Sequence, residues 1–281
     1  MIAYLFPGQG AQYGGMGKEL YDSSPQARQI FERADALLGW PLSNLMFDGS
    51  DEDLSDTRIT QLSVFVHSIA SMEADVNRRK PDMVAGHSLG EYSALVAAKV
   101  LTFEDALALV NERGKCMTMI DGAMAAVIGL PSSETELVCG RFKDVYIANY
   151  NCLEQTIISG SNDILQAVCV AAQEAGARHA FLLDVSIPSH CPLMEPAQDK
   201  FAPYVQKIVF RQPICPICQN VDGYLHMDSN DIKRNLLMQF VSPVRWRDGM
   251  LNMMAAGMTD FVEYGPGDTL TELLRKIKKG I

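Results

Sequence analysis

The stretch PDMVAGHSLGEYSAL, residues 81–95, contains the pattern G-x-S-x-G from Gly86 to Gly90. The apolar residues before the pattern (83–86) are typical of a short strand, and those after it are typical of a helix. A strand, a sharp turn and a helix form a nucleophile elbow, in which small flanking residues let the backbone turn and expose the serine hydroxyl. The sequence therefore predicts that Ser88 is a nucleophile. The alternative is a serine that only caps an ordinary helix.

A nucleophilic serine needs a general base, and the chain has five histidines. Four are less suitable, since they fall in a predicted helix, directly before the serine, at the start of a predicted strand or in a polar loop: His67, His87, His179 and His226. Elimination leaves His190, in the irregular segment DVSIPSHCPLMEP (184–196). Asp184 is the nearest acid in the usual Ser–acid–His order, although nothing in the sequence requires it. These residues alone indicate a Ser/His acyl-transfer enzyme, with hydrolysis as the first expectation.

An arginine occupies the apolar face of a predicted helix. Ala106, Leu109 and Val110 form a stripe at helical spacing, and Arg113 continues it. A buried guanidinium is costly unless it meets an anion or several acceptors. Two readings remain open: an internal pair with an Asp or Glu, or a carboxylate of the substrate held by two parallel hydrogen bonds.

The middle of the chain has a different pattern of apolar residues from the parts before and after it. Between residues 122 and 186 the pattern predicts four short strands and one helix: strands at 123–130, 144–151, 155–161 and 179–185, and a helix at 163–177. Such alternation over about 65 residues indicates a compact α+β unit inserted in a larger body. The predicted organisation is therefore a body of residues 1–121 and 187–281 with an inserted unit of residues 122–186.

Several elements of the larger body are also predictable. Residues 2–6 read as a buried strand and residues 261–264 as a last core strand. Periodicity predicts an amphipathic helix at 61–79. A capping box, Thr102-x-x-Asp105, predicts a further helix to about residue 117.

Composition excludes several classes of function. The net charge of −10 is opposite to that of a general nucleic-acid binder. The glycine loop after the first strand has Tyr13 where a dinucleotide fingerprint needs a third glycine, and no P-loop pattern occurs. No apolar run approaches the roughly 18 residues of a membrane span, so we expect a cytoplasmic protein with no membrane partner.

The seven cysteines are odd in number and scattered, which predicts reduced thiols. Cys215 and Cys218 form a single C-x-x-C without a second pair. Because a zinc site would need further ligands, we interpret this pair as structural and expect no metal.

Seven stretches in order resemble the malonyl-CoA:acyl-carrier-protein transacylase family: FPGQGAQYGGMG, GHSLGEYSAL, ERGKCM, NYNCLEQTIISGS, PSHCPLM, SPVRW and EYGPGDTLTELL. The family includes the discrete enzyme of fatty-acid synthesis, free-standing polyketide acyltransferases and the acyltransferase subunit of malonate decarboxylase. The resemblance implies an α/β fold, with an α/β-hydrolase-like large subdomain and an inserted ferredoxin-like small subdomain. The inserted unit inferred above fits the small subdomain.

The resemblance also implies roles for individual residues. Ser88 is the nucleophile, His190 the base and Arg113 the clamp for the malonyl carboxylate. The main-chain carbonyl of Gln239 orients His190 in place of an acid, which leaves Asp184 without a role. The remaining implied site residues are Gln9 and the backbone N–H of Leu89 for the oxyanion hole, and Met117, Asn151 and Gln155 as lining of the substrate site.

The implied reaction is ping-pong transfer of malonyl from malonyl-CoA to the phosphopantetheine thiol of an acyl carrier protein. It needs no metal and no bound cofactor, and we expect a monomer. The carrier and pathway stay open between fatty-acid synthesis, polyketide synthesis and malonate decarboxylase. From other classes, a thioester hydrolase and a non-catalytic docking protein are the alternatives.

Overall fold

The computed structural model describes residues 1–280, which form two β-sheets surrounded by helices. The strands are β1 (Ile2–Phe6), β2 (Met83–Gly86), β3 (Ala123–Ile128), β4 (Tyr146–Cys152), β5 (Gln155–Gly160), β6 (His179–Leu182), β7 (Ile217–Cys218), β8 (Leu225–His226) and β9 (Asp260–Glu263). The helices are α1 (Lys18–Ser23), α2 (Pro25–Leu38), α3 (Leu42–Asp48), α4 (Thr57–Ala74), α5 (Gly90–Ala97), α6 (Phe103–Met117), α7 (Ser132–Cys139), α8 (Asn162–Glu174), α9 (Glu195–Lys207), α10 (Ser229–Met238), α11 (Trp246–Ala255) and α12 (Thr269–Lys279).

The first sheet has the strand order β8–β7–β2–β1–β9 and is parallel except for the edge strand β8. Every residue of β1 is buried, as expected for a central parallel strand covered on both faces. Phe6 is in register with Gly86, so β1 and β2 end side by side. The loops that follow these two strands therefore meet at one edge of the sheet, where open α/β folds place their ligands.

The second sheet has the order β4–β5–β3–β6 and is antiparallel. Its chain order, β3–α7–β4–β5–α8–β6, is that of the ferredoxin-like fold, and both helices share a core with the strands. The α/β class with a ferredoxin-like unit is thus confirmed. The sequence predicts one helix in this unit, whereas the structure has two. The helix that was not predicted is α7 (Ser132–Cys139). All four strands lie between residues 123 and 182, while the subdomain boundaries at 122 and 186 remain a prediction.

Strand β4 of the second sheet is held by main-chain hydrogen bonds to Val244, in the segment between α10 and α11. The Tyr150 N–H donates to the carbonyl of Val244 at 2.9 Å, and the Val244 N–H donates to the carbonyl of Ala148 at 2.7 Å. These bonds fix the second sheet over the edge of the first at which β1 and β2 end. A cleft between the sheets results.

Helix α4 differs from the helix predicted at 61–79. It starts at Thr57, capped by the side chain of Asp56, and ends at Ala74. It is buried on nearly all sides because it packs against both α2 and α6, so the expected exposed face does not exist. Helix α6 starts as predicted, with the Thr102 side chain accepting from the N–H of Asp105.

All seven cysteines are free and buried, including Cys215 and Cys218. Residues 1–280 contain no group of three or more Cys, His, Asp or Glu side chains able to hold a metal ion. Among the helices of the described chain, none has both the length and the apolar character that a membrane crossing requires.

Candidate active site

Ser88 lies in the tight turn between β2 and α5, with a backbone φ of 53°. The turn requires glycine on both sides because the backbone passes very close to itself. A Cβ on Gly86 would lie 1.9 Å from the carbonyl carbon of Gly90, and a Cβ on Gly90 would lie 2.0 Å from the Phe6 oxygen. The strand–turn–helix geometry predicted from G-x-S-x-G is therefore present, and it presents the Ser88 hydroxyl to the cleft.

The hydroxyl of Ser88 meets the imidazole of His190. Ser88 Oγ lies 2.7 Å from His190 Nε2, and His190 Nδ1 lies 2.9 Å from the main-chain oxygen of Gln239. Since a carbonyl only accepts, Nδ1 carries the proton and Nε2 is free to accept from Ser88. Burial, reinforced by the positive charge of Arg113, lowers the pKa of His190 to about 3. The imidazole is therefore neutral near pH 7 and able to take a proton.

Asp184, the acid considered from sequence order, is exposed at the cleft and is not a partner of His190. The third position that an acid holds in hydrolases is taken here by the Gln239 carbonyl. The reason is local: His190 follows an irregular segment whose Ser189 carbonyl is held by the Ser159 hydroxyl at 2.6 Å, and its own φ of 62° turns the ring toward Gln239.

Arg113 is 2% exposed and points from α6 toward the serine. One terminal nitrogen donates to Gln61 Oε1 at 2.8 Å, and the other donates to Gln239 Oε1 at 3.1 Å and to Ser88 Oγ at 3.2 Å. No Asp or Glu of residues 1–280 lies within ion-pair distance of the guanidinium, so the internal ion pair considered from the sequence does not form. A buried cation with only neutral partners is left beside the nucleophile.

The predicted oxyanion-hole groups lie at the ends of the two central strands. Gln9 is in the loop after β1, and Leu89 immediately precedes the first residue of α5. Neither main-chain N–H has an acceptor among residues 1–280, and the Gln9 side chain donates to the Thr57 hydroxyl at 3.1 Å. The two N–H groups are thus free to donate to an oxygen at the serine.

The cleft contains a cavity of about 530 Å³. Seven of the nine predicted site residues line it: Gln9, Ser88, Arg113, Met117, Asn151, Gln155 and His190. Asn151 Oδ1 lies 2.9 Å from Nε2 of His87, so the His87 ring is engaged by Asn151 and not by Ser88. Leu89 and Gln239 lie behind this lining.

Three buried polar residues next to the site were not found by sequence reasoning: Gln61, Glu91 and Asn220. Asn220 Oδ1 accepts from the Ser88 N–H at 2.6 Å, and its Nδ2 donates to the Gly86 carbonyl at 2.7 Å. The Asn220 N–H donates to Glu91 Oε1 at 2.7 Å. Burial raises the pKa of the Glu91 carboxyl, whereas the hydrogen bonds from Asn220 and Gln239 and the charge of Arg113 favour its ionised form. Glu91 is the only charged residue of α5, and a charge in that helix is the signal that could have pointed to it.

A serine on such an elbow, paired with a histidine at the edge of a mostly parallel sheet, defines an α/β-hydrolase-like enzyme that handles acyl groups. Comparison with known proteins narrows this class. Residues 3–279 match the acyl transferase domain family. The malonyl CoA-acyl carrier protein transacylase of Bacillus subtilis is 39% identical over 287 residues, covering 99% of this chain and 90% of the relative.

Solved structures agree with the sequence match. The acyl carrier protein S-malonyltransferase from Vibrio cholerae superposes with a TM-score of 0.94 at 39% identity, covering 99% of this chain and 94% of the other. A type II polyketide-synthase acyl-carrier protein has been solved in complex with its malonyl-transacylase. That transacylase superposes with a TM-score of 0.95 at 36% identity, covering 99% and 93%. The chain belongs to the malonyl CoA-acyl carrier protein transacylase family, and the resemblance read from its motifs is confirmed.

Proposed function

We propose that the chain transfers a malonyl group from malonyl-CoA to the phosphopantetheine thiol of an acyl carrier protein, through an ester on Ser88. The observation that carries this is Arg113, a buried cation with neutral partners, 3.2 Å from the nucleophilic oxygen. The names of the relatives, and the carrier-protein complex of one of them, support the same donor and acceptor.

In the first half-reaction His190 Nε2 takes the proton of Ser88 Oγ as that oxygen bonds to the thioester carbonyl carbon. The carbonyl oxygen becomes an oxyanion, and the main-chain N–H groups of Gln9 and Leu89 donate to it. The carbon–sulfur bond then breaks. The proton on His190 passes to the departing sulfur, so coenzyme A leaves as a neutral thiol and the malonyl ester remains on Ser88.

The second half-reaction runs the same steps in reverse order with another thiol. His190 takes the proton of the phosphopantetheine thiol, the sulfur bonds to the ester carbon, and the carbon–oxygen bond to Ser88 breaks. His190 returns the proton to the serine. No metal or bound cofactor enters either half-reaction.

The selection of malonyl follows from the charge of the site. A malonyl carboxylate near Arg113 completes the partners of the guanidinium, whereas an acetyl group leaves a buried cation uncompensated. The cavity walls contributed by Met117, Asn151 and Gln155 complete the proposed substrate site. The carrier and the pathway stay open between fatty-acid synthesis, polyketide synthesis and malonate decarboxylase. The monomeric state and cytoplasmic location also remain predictions.

Intact-mass spectrometry tests the proposal. The protein is exposed briefly to malonyl-CoA, freed of excess substrate and then mixed with a phosphopantetheinylated acyl carrier protein. A malonyl adduct that persists in water and moves to the carrier is the expected result, and Ser88→Ala is expected to give no adduct. An adduct that decays equally fast without carrier would indicate a thioester hydrolase. The absence of any adduct on the wild-type chain would overturn the proposal.

A further inference from the structure

Glu91 is a buried carboxylate that the proposed reaction does not use. It is the second residue of α5 and is 1% exposed. Its Oε1 accepts from the Asn220 main-chain N–H at 2.7 Å, and its Oε2 accepts from Nε2 of Gln239. The two donors each meet one of the two carboxyl oxygens of Glu91. The Asn220 donor is a main-chain N–H and cannot become an acceptor, so the oxygen that faces it must always accept.

The nitrogen and the oxygen of the Gln239 side-chain amide have opposite surroundings. Its Nε2 faces three acceptors: the Ser88 carbonyl at 3.0 Å, Asn220 Oδ1 at 3.5 Å and the Glu91 carboxylate. Its Oε1 faces the guanidinium of Arg113 at 3.1 Å. An amide has nearly the same shape in both orientations, so its hydrogen-bond partners decide which atom faces which way.

We propose that Glu91 is a positioning residue. Because its carboxylate accepts from the NH₂ group of Gln239, it orients Gln239 Oε1 toward Arg113, and this oxygen holds the guanidinium beside Ser88. The side chain of Glu91 contacts neither the Ser88 hydroxyl nor the His190 ring. It acts on recognition of the carboxylate through one amide, while His190 depends on the main-chain carbonyl of the same residue. This inference rests on the malonyl transfer proposed above.

The substitution Glu91→Gln tests the orientation directly, since it keeps the size of the side chain and replaces one acceptor by a donor. The Asn220 N–H attracts the oxygen of the new amide, which leaves its NH₂ group against Gln239. Gln239 then has two unfavourable orientations. If it turns Oε1 toward residue 91, that oxygen faces the Ser88 carbonyl and its NH₂ group faces the Arg113 cation; if it does not turn, two donors face each other. We expect the malonyl-to-acetyl ratio of kcat/KM to fall roughly 10- to 100-fold, the range of one hydrogen bond to a charged group.

The second readout is the labelling rate of Ser88 with a fluorophosphonate that has no carboxylate. We expect Glu91→Gln to change this rate less than about threefold, because Ser88, His190 and the Gln239 main chain are unchanged. A loss of labelling as large as the loss of selectivity would indicate a general structural role and overturn the proposal. Asp35→Asn is the matched control: Asp35 also accepts two hydrogen bonds, from the N–H and hydroxyl of Ser43, but away from the cavity. It should leave the ratio unchanged.

A double-mutant cycle with Gln239→Met tests the route. Gln239→Met removes the amide but keeps the main-chain carbonyl, so in this background Glu91→Gln should alter the ratio less than about twofold. Effects of the two substitutions that multiply independently would overturn the proposal, as would an unchanged ratio in the Glu91→Gln variant.

Glu91→Asp is the alternative if Glu91→Gln yields no folded protein. It withdraws the acceptor from Gln239 by one methylene and should likewise lower the malonyl-to-acetyl ratio while the labelling rate holds. An unchanged ratio would again contradict the proposal. A wild-type chain that takes no malonyl would refute the proposed function instead.

Discussion

The imidazole of His190 is oriented by the main-chain carbonyl of Gln239, 2.9 Å from Nδ1, where serine hydrolases place a carboxylate. A carbonyl fixes the tautomer as well as an acid does, but it brings no negative charge to stabilise a protonated ring. Burial and the nearby positive charge of Arg113 both disfavour the imidazolium. The base is thus held in its neutral form over a wide range of pH.

This arrangement predicts that Ser88 stays reactive to an unusually low pH. The pKa of His190 is lowered to about 3, so the neutral, proton-accepting form persists as the pH falls and is lost only near that value. We expect the labelling rate with a carboxylate-free fluorophosphonate to change less than about twofold between pH 7.5 and pH 5. A histidine of ordinary pKa, about 6.5, would be only about 3% neutral at pH 5 and would lose about thirtyfold. A decline that begins near pH 6.5 would contradict the lowered pKa.

Arg113→Ala should remove selectivity for malonyl. The change deletes the cation that a malonyl carboxylate would pair with, a loss of about 2–4 kcal/mol, or roughly 30- to 1,000-fold in kcat/KM for malonyl-CoA. Activity on acetyl-CoA should hold or rise, because no unpaired buried cation is left. The measurement is the ratio of kcat/KM for the two thioesters, with fluorophosphonate labelling as a check that Ser88 still reacts. A variant with the wild-type ratio would show that the clamp is assigned to the wrong residue.

Gln61→Glu should have a similar effect by the opposite route. Gln61 Oε1 accepts from Arg113 at 2.8 Å, and a carboxylate in its place would supply the internal ion pair that the wild-type structure lacks. With its charge compensated, Arg113 should bind malonyl at least tenfold more weakly, with little change for acetyl. Gln61→Met is the matched control, since it removes the acceptor without adding charge. If both variants lower the ratio equally, geometry and not charge sets the preference.

Much of the site could be predicted because its signals are local. The elbow around Ser88 follows from small residues at fixed spacing, His190 follows from eliminating the other four histidines, and Arg113 follows from its place on an apolar helical stripe. Each of these inferences needs only a short window of sequence. The structure places His190 and Arg113 both within hydrogen-bond distance of the Ser88 hydroxyl.

The rest depended on contacts that a window does not contain. Asn220 and Glu91 meet across 129 positions of sequence, and nothing beside either residue indicates the other. Helix α7 buries only three of its eight residues, too few for a helical period to be evident. The sequence of α4 predicts an amphipathic helix, because its own residues do not show that α2 and α6 pack on both sides of it.

The glycines of the elbow give a test of folding instead of chemistry. Gly86→Ala would place a methyl group 1.9 Å from the Gly90 carbonyl carbon, and rigid backbone on both sides leaves no room to yield. We expect a loss of at least about 3 kcal/mol in the free energy of unfolding, measured by urea denaturation, since overpacking against backbone exceeds the usual cost of an added methyl group. Gly140→Ala is the control, because its φ is −62° and its nearest neighbour lies 3.4 Å away, so it should be neutral or gain up to about 1 kcal/mol. Equal effects of the two substitutions would mean that the close approach of β2 and α5, which exposes the Ser88 hydroxyl, is not required by the fold.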